Sequence, residues 1–125
     1  MQQPPHVLIV EDDPAISRLL EALLSSAGYR VQAVAEGEAA LAHCAQARPD
    51  VVLLDLTLPD ISGWDLLAHL RALPDPPPVV VLSADIAAMS RARTAGAADI
   101  ILKPFDIDEV LSVAARLLSH HSAET

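Results

Sequence analysis

Three short apolar runs in this chain each stop on a charge, and that pattern restricts the fold more than any other feature. Val7 to Val10 ends on Glu11, Asp12 and Asp13; Val51 to Leu54 ends on Asp55; Ile100 to Leu102 ends on Lys103. Continuous Val, Ile and Leu runs, as opposed to alternating ones, mark strands covered on both faces, which is the habit of parallel sheets. Charges placed just past such strands gather at one edge of the sheet, where open α/β folds bind ligands. Several carboxylates and one lysine held that close point to a divalent cation and a phosphoryl group.

The segments between the runs supply helices. Pro14 suits a first helical turn, where its missing N–H costs nothing, and Asp13 before it suits a cap. Ile16, Leu19, Leu20, Leu23 and Leu24 then form one apolar stripe, ended by Gly28. Arg30 to Val34 reads as a short strand. Glu38 to Ala47 reads as a helix with Ala40, Leu41, Cys44 and Ala45 inward, and Pro49 breaks the chain before Val51. Leu58 to Gly63 is a loop, Trp64 to Leu73 a helix, and Pro74 to Pro78 a stiff link into the strand Val79 to Leu82, with Ser83 at its end. A weaker helix spans Ile86 to Ala95, closed by Gly96. Asp106 and Glu109 cap a last helix whose Val110, Leu111, Ala114, Leu117 and Leu118 face inward, and Ser119 to Thr125 reads as a frayed tail. Strict strand and helix alternation with right-handed crossovers predicts an α/β fold. Its five-stranded parallel sheet has the order 2-1-3-4-5 and is doubly wound by five helices. Strands one and three are then neighbours, which brings Asp12, Asp13 and Asp55 together.

Bulk properties narrow the function. The length of 125 residues fits one domain over residues 1–125, with no room for an effector module beside it. A net charge of −9 opposes direct nucleic-acid binding, which requires Lys and Arg to displace counterions. Cys44 is the single cysteine, so no internal disulfide forms. No signal peptide or membrane-length apolar stretch is present, and a soluble cytoplasmic protein is expected.

Carboxylates converging without a counter-ion repel and raise one another's pKa. A cation resolves this, and since only oxygen ligands are on offer it is a hard one, Mg²⁺. Asp55 is then a credible nucleophile toward a phosphoryl donor, Lys103 a second positive charge, and the Ser83 hydroxyl a donor to a phosphoryl oxygen.

The residues Val7-Leu8-Ile9-Val10-Glu11-Asp12-Asp13, Leu54-Asp55-Leu56-Thr57-Leu58-Pro59-Asp60 with Gly63, Val81-Leu82-Ser83-Ala84, Ala95-Gly96-Ala97 and Lys103-Pro104-Phe105 occur in order over about residues 6–120. Together they resemble a response-regulator receiver domain, with its flavodoxin-like fold. The resemblance implies that Asp55 is the phospho-acceptor. It implies that Glu11 and Asp12 hold Mg²⁺ with Asp55, Asp12 directly, and that the Thr57 carbonyl is a backbone ligand. Lys103 is to pair with the phosphoryl group, Ser83 is the hydroxyl switch, and the Lys103–Pro104 peptide is expected to be cis. It implies a two-component or phosphorelay role in which a sensor histidine kinase or phosphotransfer protein phosphorylates Asp55 and an unidentified downstream effector reads the result. Such a chain catalyses only its own phosphorylation and dephosphorylation and is not a turnover enzyme. Dimerisation of the chain is left open.

Two departures from the family stand out. Ile100 occupies the place, three residues before the lysine, where receivers often carry a Tyr or Phe switch. The segment from Ser83 to Gly96 is also shorter than usual, so an atypical output face is expected. Asp85 and Thr57 lie two residues past Ser83 and Asp55, where they are expected to tune dephosphorylation. The alternative is a phosphorylation-independent receiver-like scaffold, which the complete set of Asp12, Asp55, Ser83 and Lys103 disfavours. A haloacid-dehalogenase-like hydrolase would need an Asp at Thr57. His6, His43, His69, His120 and His121 read as surface residues without orienting partners, Cys44 as core packing, Trp64 as a cover beside the site, and Arg91 and Arg93 as a solvated face.

Overall fold

A computed structural model describes residues 3–123, with side chains through Ser119. Ten elements alternate: β1 (His6–Val10), α1 (Pro14–Ser26), β2 (Arg30–Val34), α2 (Gly37–Gln46), β3 (Val51–Asp55), α3 (Gly63–Arg71), β4 (Val79–Ser83), α4 (Ala88–Thr94), β5 (Asp99–Leu102) and α5 (Ile107–Ala123). The strands form one parallel sheet in the order β2-β1-β3-β4-β5, as the alternation predicts.

The sheet is sandwiched between two aliphatic cores, which explains why its central strands do not alternate. Val7, Ile9, Leu53, Val80, Leu82 and Ile101 pack on one side against Leu20 and Leu24 of α1 and Val110, Ala114 and Leu118 of α5. Leu8, Val10, Val52, Leu54, Val79 and Val81 pack on the other against Ala40, Leu66, Leu67, Leu70 and Ala92 of α2, α3 and α4. Every residue from Val7 to Val10 and of β3 and β4 is buried from one face or the other, whereas β2, at the sheet edge, alternates and leaves Arg30 and Gln32 exposed. Among the described residues no helix is long and apolar enough to cross a membrane.

Several expectations need correction. Leu19 is 44% exposed, because the packed row of α1 is Ile16, Leu20 and Leu24 and Leu19 lies ~100° around the helix from Leu20. Ala45 is exposed for a similar reason, while Ala40 is buried and Leu41 and Cys44 half-buried. The third helix ends at Arg71, before Leu73. The fourth begins at Ala88 and not at Ile86, since the Asp85 carboxylate accepts from the Ala87 N–H at 3.0 Å and holds residues 85–87 in a turn; Ile86 is left 71% exposed. The last helix continues through Ala123, so the segment from Ser119 is not a frayed end up to that residue. The side chains of His120 and His121 lie outside the described residues.

Register places the functional edge. Val10 is paired with Leu54, so Glu11 and Asp55 follow side by side; Asp55 is level with Leu82 and Ser83 with Leu102, so Lys103 comes next. The loop after Asp55 is folded back tightly. Gly63 N–H donates to the Leu56 carbonyl at 3.1 Å, and a Cβ at Gly63 would stand 2.4 Å from the Leu56 Cα, so only glycine fits.

Candidate functional site

The buried polar or charged residues among those described are Glu11 (2% exposed), Asp55 (6%) and Ser83 (8%), and all three lie at the carboxyl ends of central strands. A buried polar group without partners costs a few kcal/mol, so each is held by specific donors or acceptors. Lys103 Nζ donates to Glu11 Oε1 at 2.9 Å and lies 3.6 Å from Asp55 Oδ1. Asp13 N–H donates to Glu11 Oε2 at 3.3 Å, and Thr57 N–H to Asp55 Oδ1 at 3.2 Å. Ser83 Oγ accepts from the Asp85 N–H at 3.0 Å, and the Ser83 carbonyl accepts from the Lys103 N–H at 2.8 Å. The Lys103–Pro104 peptide is cis.

Glu11, Asp12 and Asp55 each bring one carboxylate oxygen into a group whose members all lie within 4.8 Å of one another. Asp13 does not join it. Its carboxylate caps α1 instead, accepting from the Ala15 N–H at 2.9 Å and the Ile16 N–H at 3.4 Å, because the first N–H groups of a helix have no partner within it. Of the acids that the strand order was expected to bring together, Asp13 alone turns away, to the cap its place before Pro14 suits, and the group that forms is the Glu11, Asp12 and Asp55 set expected for the metal.

The charges of this group are unequal. Burial, followed by the neighbouring Asp55 carboxylate, pushes Glu11 up to about 7, against the opposing pull of Lys103 and the Asp13 N–H. Burial works against the Lys103 ammonium, but the hydrogen bond to Glu11 and the charges of Asp55 and Glu11 outweigh it, leaving its pKa raised. One cation thus faces three carboxylates, one of them crowded far enough to hold a proton near neutrality. A second, hard cation fits this donor set, which is all oxygen and opens on one side, through exposed Asp12, to water.

Two clefts meet here. One of about 230 Å³ is lined by Glu11, Asp12, Asp55, Thr57, Ser83 and Lys103. The other, about 390 Å³, shares Thr57 and Ser83 and extends to Trp64, Asp85 and Arg91. The Arg91 guanidinium sits 4.3 Å over the Trp64 ring, so it is not the simply solvated residue expected. Ile100 packs, half-buried, against the core on the α4 side.

Two further contacts had no sequence signal. Asp60 caps α2 from a distance, its two carboxylate oxygens accepting from the Gly37 N–H at 2.9 Å and the Glu38 N–H at 3.0 Å. His6 and His43 face each other with their Nε2 atoms 3.1 Å apart, contrary to the expectation that neither had a partner. Each of these contacts joins residues more than 20 positions apart, so no local spacing reveals it.

The family described as the response regulator receiver domain matches residues 7–115. The transcriptional regulatory protein KdpE of Mycobacterium tuberculosis is 45% identical over 108 residues, which is 85% of this chain and 47% of that protein. The receiver domain of NtrX from Brucella abortus superposes with a TM-score of 0.85 at 32% identity, covering 90% of this chain and 98% of that one. The chemotaxis response regulator CheY4 of Vibrio cholerae does so with a TM-score of 0.85 at 28% identity, covering 92% and 99%. The chain spans about half the length of the curated relatives it matches.

Proposed function

The chain belongs to the response regulator receiver family, and on that premise we propose that it is a phosphorylation switch whose acceptor is Asp55. The observation that carries this reading is the setting of the Asp55 carboxylate in an open cleft, grouped with Glu11 and Asp12 and with the Lys103 ammonium 3.6 Å away. An Asp55 oxygen attacks the phosphorus of a phosphohistidine on a sensor kinase or phosphotransfer protein. The P–N bond breaks, its electron pair returns to the imidazole, and an acyl phosphate remains on Asp55. Such a transfer needs in-line positioning and charge neutralisation more than covalent help.

Glu11, Asp12 and Asp55, with the backbone carbonyl of Thr57, a residue that lines the cleft, would hold Mg²⁺, which when bound neutralises phosphoryl oxygens. Lys103 is free to leave Glu11 for the phosphoryl group because Glu11 tolerates a proton near neutral pH. The Ser83 hydroxyl lines the same cleft and donates to a phosphoryl oxygen once it turns inward. Asp85, fixed by its N–H to Ser83 Oγ, and Thr57 stand where they influence the approach of water to the acyl phosphate. With Ile100 lacking a ring, a partner reads the change through Ser83 and the short α4.

Incubation with acetyl phosphate and Mg²⁺ followed by intact mass measurement tests the reading. The chain should gain one phosphoryl group, and Asp55→Ala should gain none. No gain by the unaltered chain from acetyl phosphate or from any histidine kinase would leave the phosphorylation-independent scaffold.

A further inference from the structure

At the edge of the sheet opposite Asp55, the first residue of β1 meets the last turn of α2. His6 Nε2 and His43 Nε2 are 3.1 Å apart, with the two half-buried rings inclined at 67°. The backbone of His6 is fixed on both sides: it pairs with Arg30 of β2, its N–H donates to Asp50 Oδ2 at 2.7 Å, and its carbonyl accepts from the Asp50 N–H at 2.7 Å. One neutral ring donating to the other satisfies the pair in the absence of an ion. The same two nitrogens also have the separation of adjacent ligands on one metal ion.

We propose that His6 and His43 form a bidentate site for a borderline divalent transition-metal ion such as Zn²⁺, separate from the acidic group at the other end of β1. An ion ~2.0–2.1 Å from each of two nitrogens 3.1 Å apart subtends an angle of about 95–102°, between the octahedral and tetrahedral values. Imidazole nitrogens select Zn²⁺, Ni²⁺ and Cu²⁺ where carboxylates select Mg²⁺, so the two ends of the strand discriminate between classes of cation. Ligation needs neutral rings, and burial, His43 and Arg30 hold the His6 pKa below its ordinary value against the pull of Asp50. Among the described residues no third His, Cys or carboxylate converges with the pair, so water completes the shell. A bound ion ties α2 to β1 and stabilises the folded chain by mass action.

The test is titration of the full chain, without an affinity tag, with Zn²⁺ in excess Mg²⁺, by calorimetry and by NMR of the imidazole rings. One ion should bind per chain, with the ring signals of His6 and His43 shifting together and the melting temperature rising. His6→Gln and His43→Gln should each weaken that binding about tenfold or more and abolish the rise, while Mg²⁺ affinity, the check that the variants fold, stays unchanged. Shifts confined to His69, His120 and His121, unchanged Zn²⁺ affinity in both variants, or no saturable binding would each overturn the proposal. The ring signals of the unaltered chain decide the matter even if a variant fails to fold.

Discussion

The two ends of β1 pose the same electrostatic problem and answer it differently. Just past its carboxyl end Glu11 meets Asp55, and at its amino end His6 meets His43; each contact joins two groups that would repel if both were charged. At the acidic end the answer is a counter-ion, Lys103, held 2.9 Å from Glu11. At the imidazole end it is neutrality of His6, favoured by burial and by the repulsion that a charge on His6 would meet from Arg30 and from any charge on His43. The difference shows how a strand that is apolar from Val7 to Val10 carries polar groups at both tips. A charge at the tip is matched, or it is not made. The matched end keeps a surplus of negative charge, the kind of setting in which functional groups cluster.

Removing the match is the harshest test of that contrast. Lys103→Met leaves Glu11 and Asp55 buried together without their cation. In chelator at about pH 8 the variant should lose about 2–4 kcal/mol in denaturant unfolding, near the lower end of the cost of breaking a buried pair. At about pH 5, where Glu11 carries a proton, the loss should be much smaller. An equal loss at both pH values would mean that Lys103 does not balance Glu11.

The pH dependence of stability separates the two ends by sign. Glu11 rises from 4.5 to about 7 on folding, so its contribution is complete below about pH 4.5 and lost as pH climbs through 7. His6 is lowered from 6.5, so its contribution is complete above about pH 6.5 and lost as pH falls through its folded value. In chelator, Glu11→Gln should become the more stable chain as pH rises from about 5 to about 8, by about 1–3 kcal/mol at the upper end. Parallel curves for the two chains would show that Glu11 is not crowded as its position implies.

The parts of this fold that were legible in the sequence are those governed by local pattern. Unbroken runs such as Val51 to Leu54 announce strands covered on both faces, and strict alternation with helices then leaves one natural strand order. The order itself brings Asp55, Glu11, Ser83 and Lys103 to one edge. What stayed hidden depends on which of several similar residues wins a contact. The place of Asp13 before Pro14 marks it as a cap, but nothing local says that Asp60, far along the chain, would cap the second helix. Leu19 fits the helical period as well as Leu23, yet the row that packs runs through Ile16, Leu20 and Leu24. The Arg91 stack on Trp64 depends on how α4 is shortened by the Asp85 turn, a matter of loop geometry and not of period.

Asp60 supplies the mildest and cleanest comparison, because it lies five residues beyond Asp55 and moves the opposite way to Glu11. It is exposed, so burial barely penalises its charge, and the Glu38 and Gly37 N–H groups hold its carboxyl below the ordinary 3.8. Glu11 also accepts hydrogen bonds, yet burial and Asp55 lift it; the sign is set by which influence dominates, not by residue type. A lowered carboxylate stabilises the fold fully above about 3.8, and that contribution is lost as pH falls through the folded value. Asp60→Asn keeps an acceptor oxygen but gives up the negative charge at the start of α2, where the helix dipole favours one. Its melting temperature should therefore fall slightly below that of the unaltered chain at neutral pH, with the gap closing in acid once Asp60 is protonated. A gap that persists unchanged at low pH would place the effect in packing and not in charge.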